Sequence, residues 1–167
     1  MSIQLFTPRL HLRQFQTADA PHLLELNSDP AVLRFVPDGP YDSEKTVRQW
    51  IETYDQYDRW GTGRLAVIRR EDGAFLGWCG LKYLEETGEV DLGYRFMQRY
   101  WGRGYATEAA LPCLDYAFNI LGLAEVVGRA EAENTASIHI LEKLGMTYWK
   151  KFDAHGRPGV YYRIQRT

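Results

Sequence analysis

Polar and apolar residues alternate through residues 3–15, with Leu5, Leu10, Leu12 and Phe15 as apolar positions, which predicts an opening strand bent where Thr7-Pro8 interrupts it. Thr17, Ala18 and Asp19 then open a short helix with an apolar side of Leu23, Leu24 and Leu26, and Asp29-Pro30 ends it. Asp42, Ser43 and Glu44 start a second helix, predicted over 42–58, on which Trp50, Tyr54 and Tyr57 recur at helical spacing and read as a core face. From Arg64 the period changes from helical to alternating. Strands are predicted over 64–69, 74–84 and 89–97, separated by turns at Glu71-Asp72-Gly73 and Glu86-Thr87-Gly88. Turns this short make the three strands an antiparallel meander, because parallel neighbours need a crossover.

The clearest helical pattern covers 102–121, where Ala106, Ala110, Leu114, Ala117 and Leu121 share a face and Gly122 ends the run. Pro112 removes the bond to the Glu108 carbonyl and predicts a bend. A strand over 124–130 follows, then a helix from the N-cap residue Asn134 to near Gly145. Residues 146–153 and 160–165 form a closing hairpin around a loop at 155–159. No repeat or linker interrupts the chain, so residues 1–167 read as a single mixed α/β (α+β) domain.

Composition narrows the function classes. The chain is 45% hydrophobic and 25% charged, with a net charge of −2, which argues against a nucleic-acid partner. Basic residues nevertheless cluster at Arg95, Arg99 and Arg103, a patch suited to a small anion. No apolar run approaches the ~20 residues of a membrane span, and no leader pattern is visible, so no membrane contact and a cytoplasmic location are expected. Cys79 and Cys113 lie in apolar runs and read as buried thiols, while His11, His22, His139 and His155 have no ligand spacing, so no metal is expected.

Chemistry concentrates at 92–107, where a strand runs into a loop with Gly102 and Gly104 and the loop runs directly into a helix. Glycines at those positions allow positive φ and a close backbone approach. The first helical amides lack intrahelical partners and lie at the positive end of the helix dipole, which together make a phosphate cradle. A dinucleotide site is the nearest rival, with Glu125 at a tolerable distance as its acid. It needs a glycine where Thr107 stands, and a parallel βαβ unit where the pattern predicts a meander.

The string Arg99-Tyr100-Trp101-Gly102-Arg103-Gly104 resembles the coenzyme A motif of the GNAT superfamily of acetyl-CoA-dependent N-acetyltransferases. The longer run 100–109, the opening 7–13 and the segment 133–146 are similar to the RimJ/RimL branch, the ribosomal-protein N-terminal acetyltransferases. The resemblance implies a GNAT-like acyl-CoA N-acyltransferase fold, with a mixed, largely antiparallel central sheet and helices on both faces. It implies acetyl-CoA as co-substrate, the strand before the loop splaying from its neighbour, and the thioester entering that gap. Backbone groups near Phe96 and Met97 would then meet the acetyl and pantetheine parts. Arg99, Gly102, Arg103, Gly104, Tyr105, Ala106 and Thr107 would hold the pyrophosphate, and Asn134 the pantetheine arm. Asn134 also reads locally as a plain helix cap.

Direct attack by an amine on the thioester is implied, with no acyl-enzyme, so the site needs juxtaposition, an oxyanion donor and proton handling. The candidate bases are Glu89 and Asp91, which share a strand face, and Asp153 or His155 in the closing hairpin. The tyrosine that many GNAT enzymes use as acid is replaced by Leu141, and Ser137 stands where the RimL-like branch has a serine in that role. The expected acceptor is a primary amine, on a protein N-terminus or a small molecule. A non-catalytic acyl-CoA-binding sensor on the same fold is the alternative reading, and a homodimer is left open.

Overall fold

The computed structural model describes residues 2–36 and 39–167. The opening segment is two strands rather than one bent strand: Gln4–Phe6 (β1) and Leu10–Arg13 (β2) form a hairpin that turns through Thr7-Pro8. The Thr7 main chain closes that turn, its N–H donating to the Leu10 carbonyl at 2.9 Å. Ala20–Leu26 (α1) and the single turn Pro30–Leu33 (α2) follow, with Asp29 capping α2 through the Ala31 amide. The long helix expected over 42–58 is two, Glu44–Thr53 (α3) and Gln56–Trp60 (α4), with Tyr54 extended between them. The break lets the hydroxyls of Tyr54 and Tyr57 reach the main chain of Arg64, so the aromatic stripe fastens these helices to the next strand.

Gly63–Arg69 (β3), Phe75–Tyr83 (β4) and Val90–Phe96 (β5) form the expected antiparallel meander. Tyr105–Asp115 (α5) begins after the glycine loop rather than at Gly102, and beyond Pro112 the helix widens into a π-turn over Tyr116–Ile120. A proline cannot donate in the ladder, and the helix absorbs the lost bond by changing pitch. Glu125–Glu131 (β6), Thr135–Lys143 (α6), Thr147–Ala154 (β7) and Arg157–Gln165 (β8) complete the chain. The closing loop is only His155-Gly156, both at positive φ, so β8 starts three residues earlier than the sequence pattern suggests.

The eight strands form one sheet in the order β1-β2-β3-β4-β5-β6-β8-β7, antiparallel except where β5 meets β6. Helices cover both faces. Leu10, Leu12, Val67, Leu92, Phe96 and Val126 pack with Ala109, Ala110 and Leu141 of α5 and α6 on one face. Ala66, Phe75 and Met97 pack with Leu23, Leu26, Val47 and Ile51 of α1 and α3 on the other. Burying each of these aliphatic side chains is worth roughly 1.5–3 kcal/mol, which fixes the sheet as the frame of the site.

Candidate acyl-transfer site

Successive side chains on β5 point to opposite faces. Asp91, Gly93 and Arg95 therefore lie on the α1 side, and Leu92, Tyr94 and Phe96 on the α5 side. Among the described residues the only pair in register between β5 and β6 is Asp91 with Val127. Beyond that pair the two parallel strands part, and the end of β5 has a strand neighbour only in β4. The Met97 amide donates to the Leu76 carbonyl at 2.9 Å, so the alternation turns the Phe96 amide the other way, into the gap. The Phe96 carbonyl accepts from the Trp101 indole at 2.8 Å, which ties the strand end to the loop that follows.

That loop has the geometry of an anion cradle. Gly102 and Gly104 adopt φ of 75° and 80°. A Cβ added to Gly102 would meet nothing within 4 Å, so the space above the loop is open. The first helical bond runs from the Glu108 amide to the Gly104 carbonyl, so the amides of Tyr105, Ala106 and Thr107 precede the ladder. These features fit the pyrophosphate of coenzyme A. Of the basic cluster, Arg103 is exposed beside the loop. Arg99 reaches Glu25 of α1 at 2.8 Å, and Arg95 bonds Asn27 and lies over Trp78.

The far wall of the gap is α6. Asn134 caps it, its Oδ1 accepting from the Ser137 amide at 3.2 Å. Ser137 meets Tyr94 across the gap: the phenol donates to the Ser137 carbonyl at 2.9 Å and its oxygen lies 3.0 Å from the Ser137 hydroxyl. In the hydroxyl pair either oxygen can be the donor. Burial pushes the Tyr94 phenol far above its ordinary range, which keeps it protonated. Leu141 is buried in the core and offers no proton.

At the base of the fork Asp91 is 4% exposed and bonds two guanidiniums, Arg64 of β3 at 2.8 Å and Arg129 of β6 at 3.3 Å. Arg64 also donates to the carbonyls of Gly80 and Asp91. It lies flat on the sheet because Gly93 has no side chain; a Cβ there would come within 2.7 Å of the guanidinium. Glu89, just before β5, accepts from the Tyr161 hydroxyl at 3.1 Å and is half-buried. Burial raises the Tyr161 phenol; the Arg129 cation pulls against that and the Glu89 carboxylate adds to it. Asp153 and His155 lie on the closing hairpin, where Asp153 accepts from the Gly156 amide at 3.1 Å and both residues are exposed. The structure thus brings Glu89 and Asp91 to one cluster and holds Asp153 and His155 apart from it. Tyr94, Arg64, Arg129 and Tyr161 went unmarked in the sequence because each acts through a partner at least 27 residues away.

Between α1, α2 and the start of the loop lies a cavity of about 540 Å³, lined by Glu25, Leu26, Asp29, Val32, Met97 and Arg99 among others. It opens beside Met97, on the face of the sheet opposite α5. Cys79 and Cys113 are buried in the core, and burial together with the neighbouring Cys113 thiol raises the Cys79 thiol well above its ordinary range. Neither is placed to act as a nucleophile. Among the described residues no group of histidine, cysteine or acidic side chains is set to hold a metal ion, and no helix is long and apolar enough to cross a membrane.

Residues 9–147, which contain the fork, the glycine loop and the start of α5, match a family model described as Acetyltransferase (GNAT) domain. The chain belongs to the GNAT acetyltransferase family. GNAT enzymes use acetyl-CoA, and this chain is accordingly an acetyl-CoA-dependent acyltransferase. The uncharacterized N-acetyltransferase p20 of Bacillus licheniformis is 32% identical over 84% of this chain and 80% of its own length. Spermidine N(1)-acetyltransferase of Escherichia coli strain K12 is 28% identical over 81% of this chain and 72% of its own. The crystal structure of an acetyltransferase from Agrobacterium tumefaciens superposes with a TM-score of 0.85 at 29% identity, covering 98% of this chain and 95% of that one. The GNAT fold expected from the sequence, a mixed and mostly antiparallel sheet with helices on both faces, is what the chain adopts.

Proposed function

We propose that this GNAT protein transfers the acetyl group of acetyl-CoA directly to a primary amine, and that it falls in the RimJ/RimL-like branch. The observation that carries the reading is the fork itself: among the described residues β5 pairs with β6 at one position, and it leads through a single 3-10 turn at Gln98–Tyr100 into an open glycine cradle. When bound, acetyl-CoA supplies an acetyl thioester open to attack by an unprotonated amine. The amides from Arg103 to Thr107 hold the pyrophosphate and Nδ2 of Asn134 bonds the pantetheine arm. The Phe96 amide, turned into the gap, is the donor for the oxyanion, a contribution typically worth about 10²–10³ in rate.

Among the candidate side chains, one is placed to handle a proton at the thioester. Ser137 serves as acid toward the departing thiolate, held in its rotamer by Tyr94. Glu89 stands seven residues before Phe96, roughly 23 Å along an extended strand, and both oxygens of Asp91 are taken by arginines, so the amine loses its proton to solvent and not to either carboxylate. Asp91 acts as the structural tie at the fork. The acceptor enters through the cavity beside Met97, whose Asp29, with a Glu25 already shared with Arg99, suits an amine on an apolar body. A small polyamine of the kind acetylated by the E. coli relative fits that chemistry, and so does a protein N-terminus. Incubating the protein with acetyl-CoA and a panel of polyamines, amino sugars and N-terminal peptides, and following free thiol, tests the reading. Amine-dependent thiol release supports it; no release with any amine, alongside tight CoA binding, would leave a binding protein instead.

A further inference from the structure

Arg9 stands outside the glycine loop in sequence but against it in space. Its Nε bonds Glu108 Oε1 at 2.7 Å and its Nη2 donates to the Arg103 carbonyl at 3.0 Å. The guanidinium lies over the Tyr105 ring at 4.3 Å, and a side chain built on Gly104 would meet Nη2 at 3.6 Å. The peptide joining Arg103 to Gly104 is trans, so its carbonyl and its amide point in opposite directions. With the carbonyl fastened to Arg9, the Gly104 amide faces away from Arg9, and the Arg103 carbonyl is turned from an anion on the amide's side. Glu108 adds a second reason for the contact. It places a carboxylate in the first turn of α5, next to a site for a phosphate, where it would repel the ligand. Arg9 and the Thr7 hydroxyl, at 2.5 Å, engage both of its oxygens.

We propose that Arg9 is a positioning residue for the phosphate cradle: it sets the Arg103–Gly104 peptide with its amide toward the ligand and offsets the Glu108 charge. The inference rests on the acetyl-CoA reading above. A lysine keeps the charge but, as a single ammonium, cannot hold the Glu108 carboxylate and the Arg103 carbonyl together in the planar geometry of a guanidinium.

The test is direct binding, by calorimetry for CoA and by NMR titration for pantetheine, which lacks the pyrophosphate. Arg9→Ala should weaken CoA about tenfold, the scale of one charge-assisted bond. The ratio of CoA to pantetheine affinity should fall by the same factor. Arg9→Lys should keep most of the loss, and it carries the test if Arg9→Ala does not fold. Unchanged CoA affinity, an equal loss for CoA and pantetheine, or full recovery in Arg9→Lys would each overturn the proposal. A wild-type protein that does not bind CoA would overturn the acetyl-CoA reading itself, and this inference with it.

Discussion

Tyr94 and Ser137 show how single side chains set the chemistry here. Ser137, the proposed acid, would do the work of the phenol that Leu141 replaces, and it hydrogen-bonds a phenol from the facing strand. Ser137→Ala should lower kcat about a hundredfold, within the usual range for a general acid, and leave the CoA dissociation constant within about twofold. Steady-state rates beside a CoA titration check this, and full activity would remove Ser137 from the mechanism. Tyr94→Phe keeps the ring in the core and deletes the two contacts to Ser137. It should lower kcat about tenfold, less than the serine change, with CoA affinity retained. Rates equal to wild type would mean that Ser137 needs no such support. The serine was legible from its place three residues after Asn134, whereas its partner was not: nothing local to Tyr94 distinguishes it from any aromatic facing a core.

At the scale of elements, two fastenings hold the site open in the right place. One is the cluster of Asp91 with Arg64 and Arg129, which ties β5 to β3 and β6 at the point where the sheet forks. Removing the carboxylate would leave the Arg64 guanidinium, 15% exposed, without its counter-charge. Asp91→Ala should therefore cost about 3 kcal/mol in urea unfolding, as for other broken buried pairs. A loss near zero would show that water replaces the carboxylate there. The other fastening docks the β1–β2 hairpin on α5 through Glu108. Burial opposes its charge, but bonds from Thr7 and Arg9 outweigh that and lower its pKa from the usual 4.5. A carboxyl held lower in the folded chain than in the unfolded chain stabilises the fold fully above the unfolded value, and the contribution is lost as pH falls through the folded one. The hairpin should loosen below about pH 4.5, and Glu108→Gln should flatten that part of the acid dependence. Hydrogen exchange of β1 and β2 amides across pH reads this directly.

For the molecule as a whole, the meander, the presence of a helix after the glycine loop and the closing hairpin were readable because each follows from short-range periodicity and turn residues, whereas the helix bounds were not: α5 runs Tyr105–Asp115 and not 102–121. The broken helix at Tyr54 and the split opening strand were not, since both serve contacts made much later in the chain: the Arg64 main chain in one case and Glu108 in the other. The cradle was legible for the same reason as the meander, being built from consecutive residues 99–107. The carboxylate cluster at the paired end of β5 was half legible, because strand alternation joins Glu89 to Asp91 but says nothing of Arg129 or Tyr161. The central claim remains that the loop after β5 holds the pyrophosphate of acetyl-CoA. Gly104 sits at φ 80°, and a valine there would press a branched side chain on the Arg9 guanidinium that fastens the cradle, at a backbone strain of roughly 1–3 kcal/mol, small enough for the fold to survive. Calorimetric titration of wild type and Gly104→Val with CoA, with circular dichroism confirming both folds, is the most direct measurement. One-to-one binding by wild type and its loss in the folded variant is the predicted result, and equal affinity in the two would contradict the account.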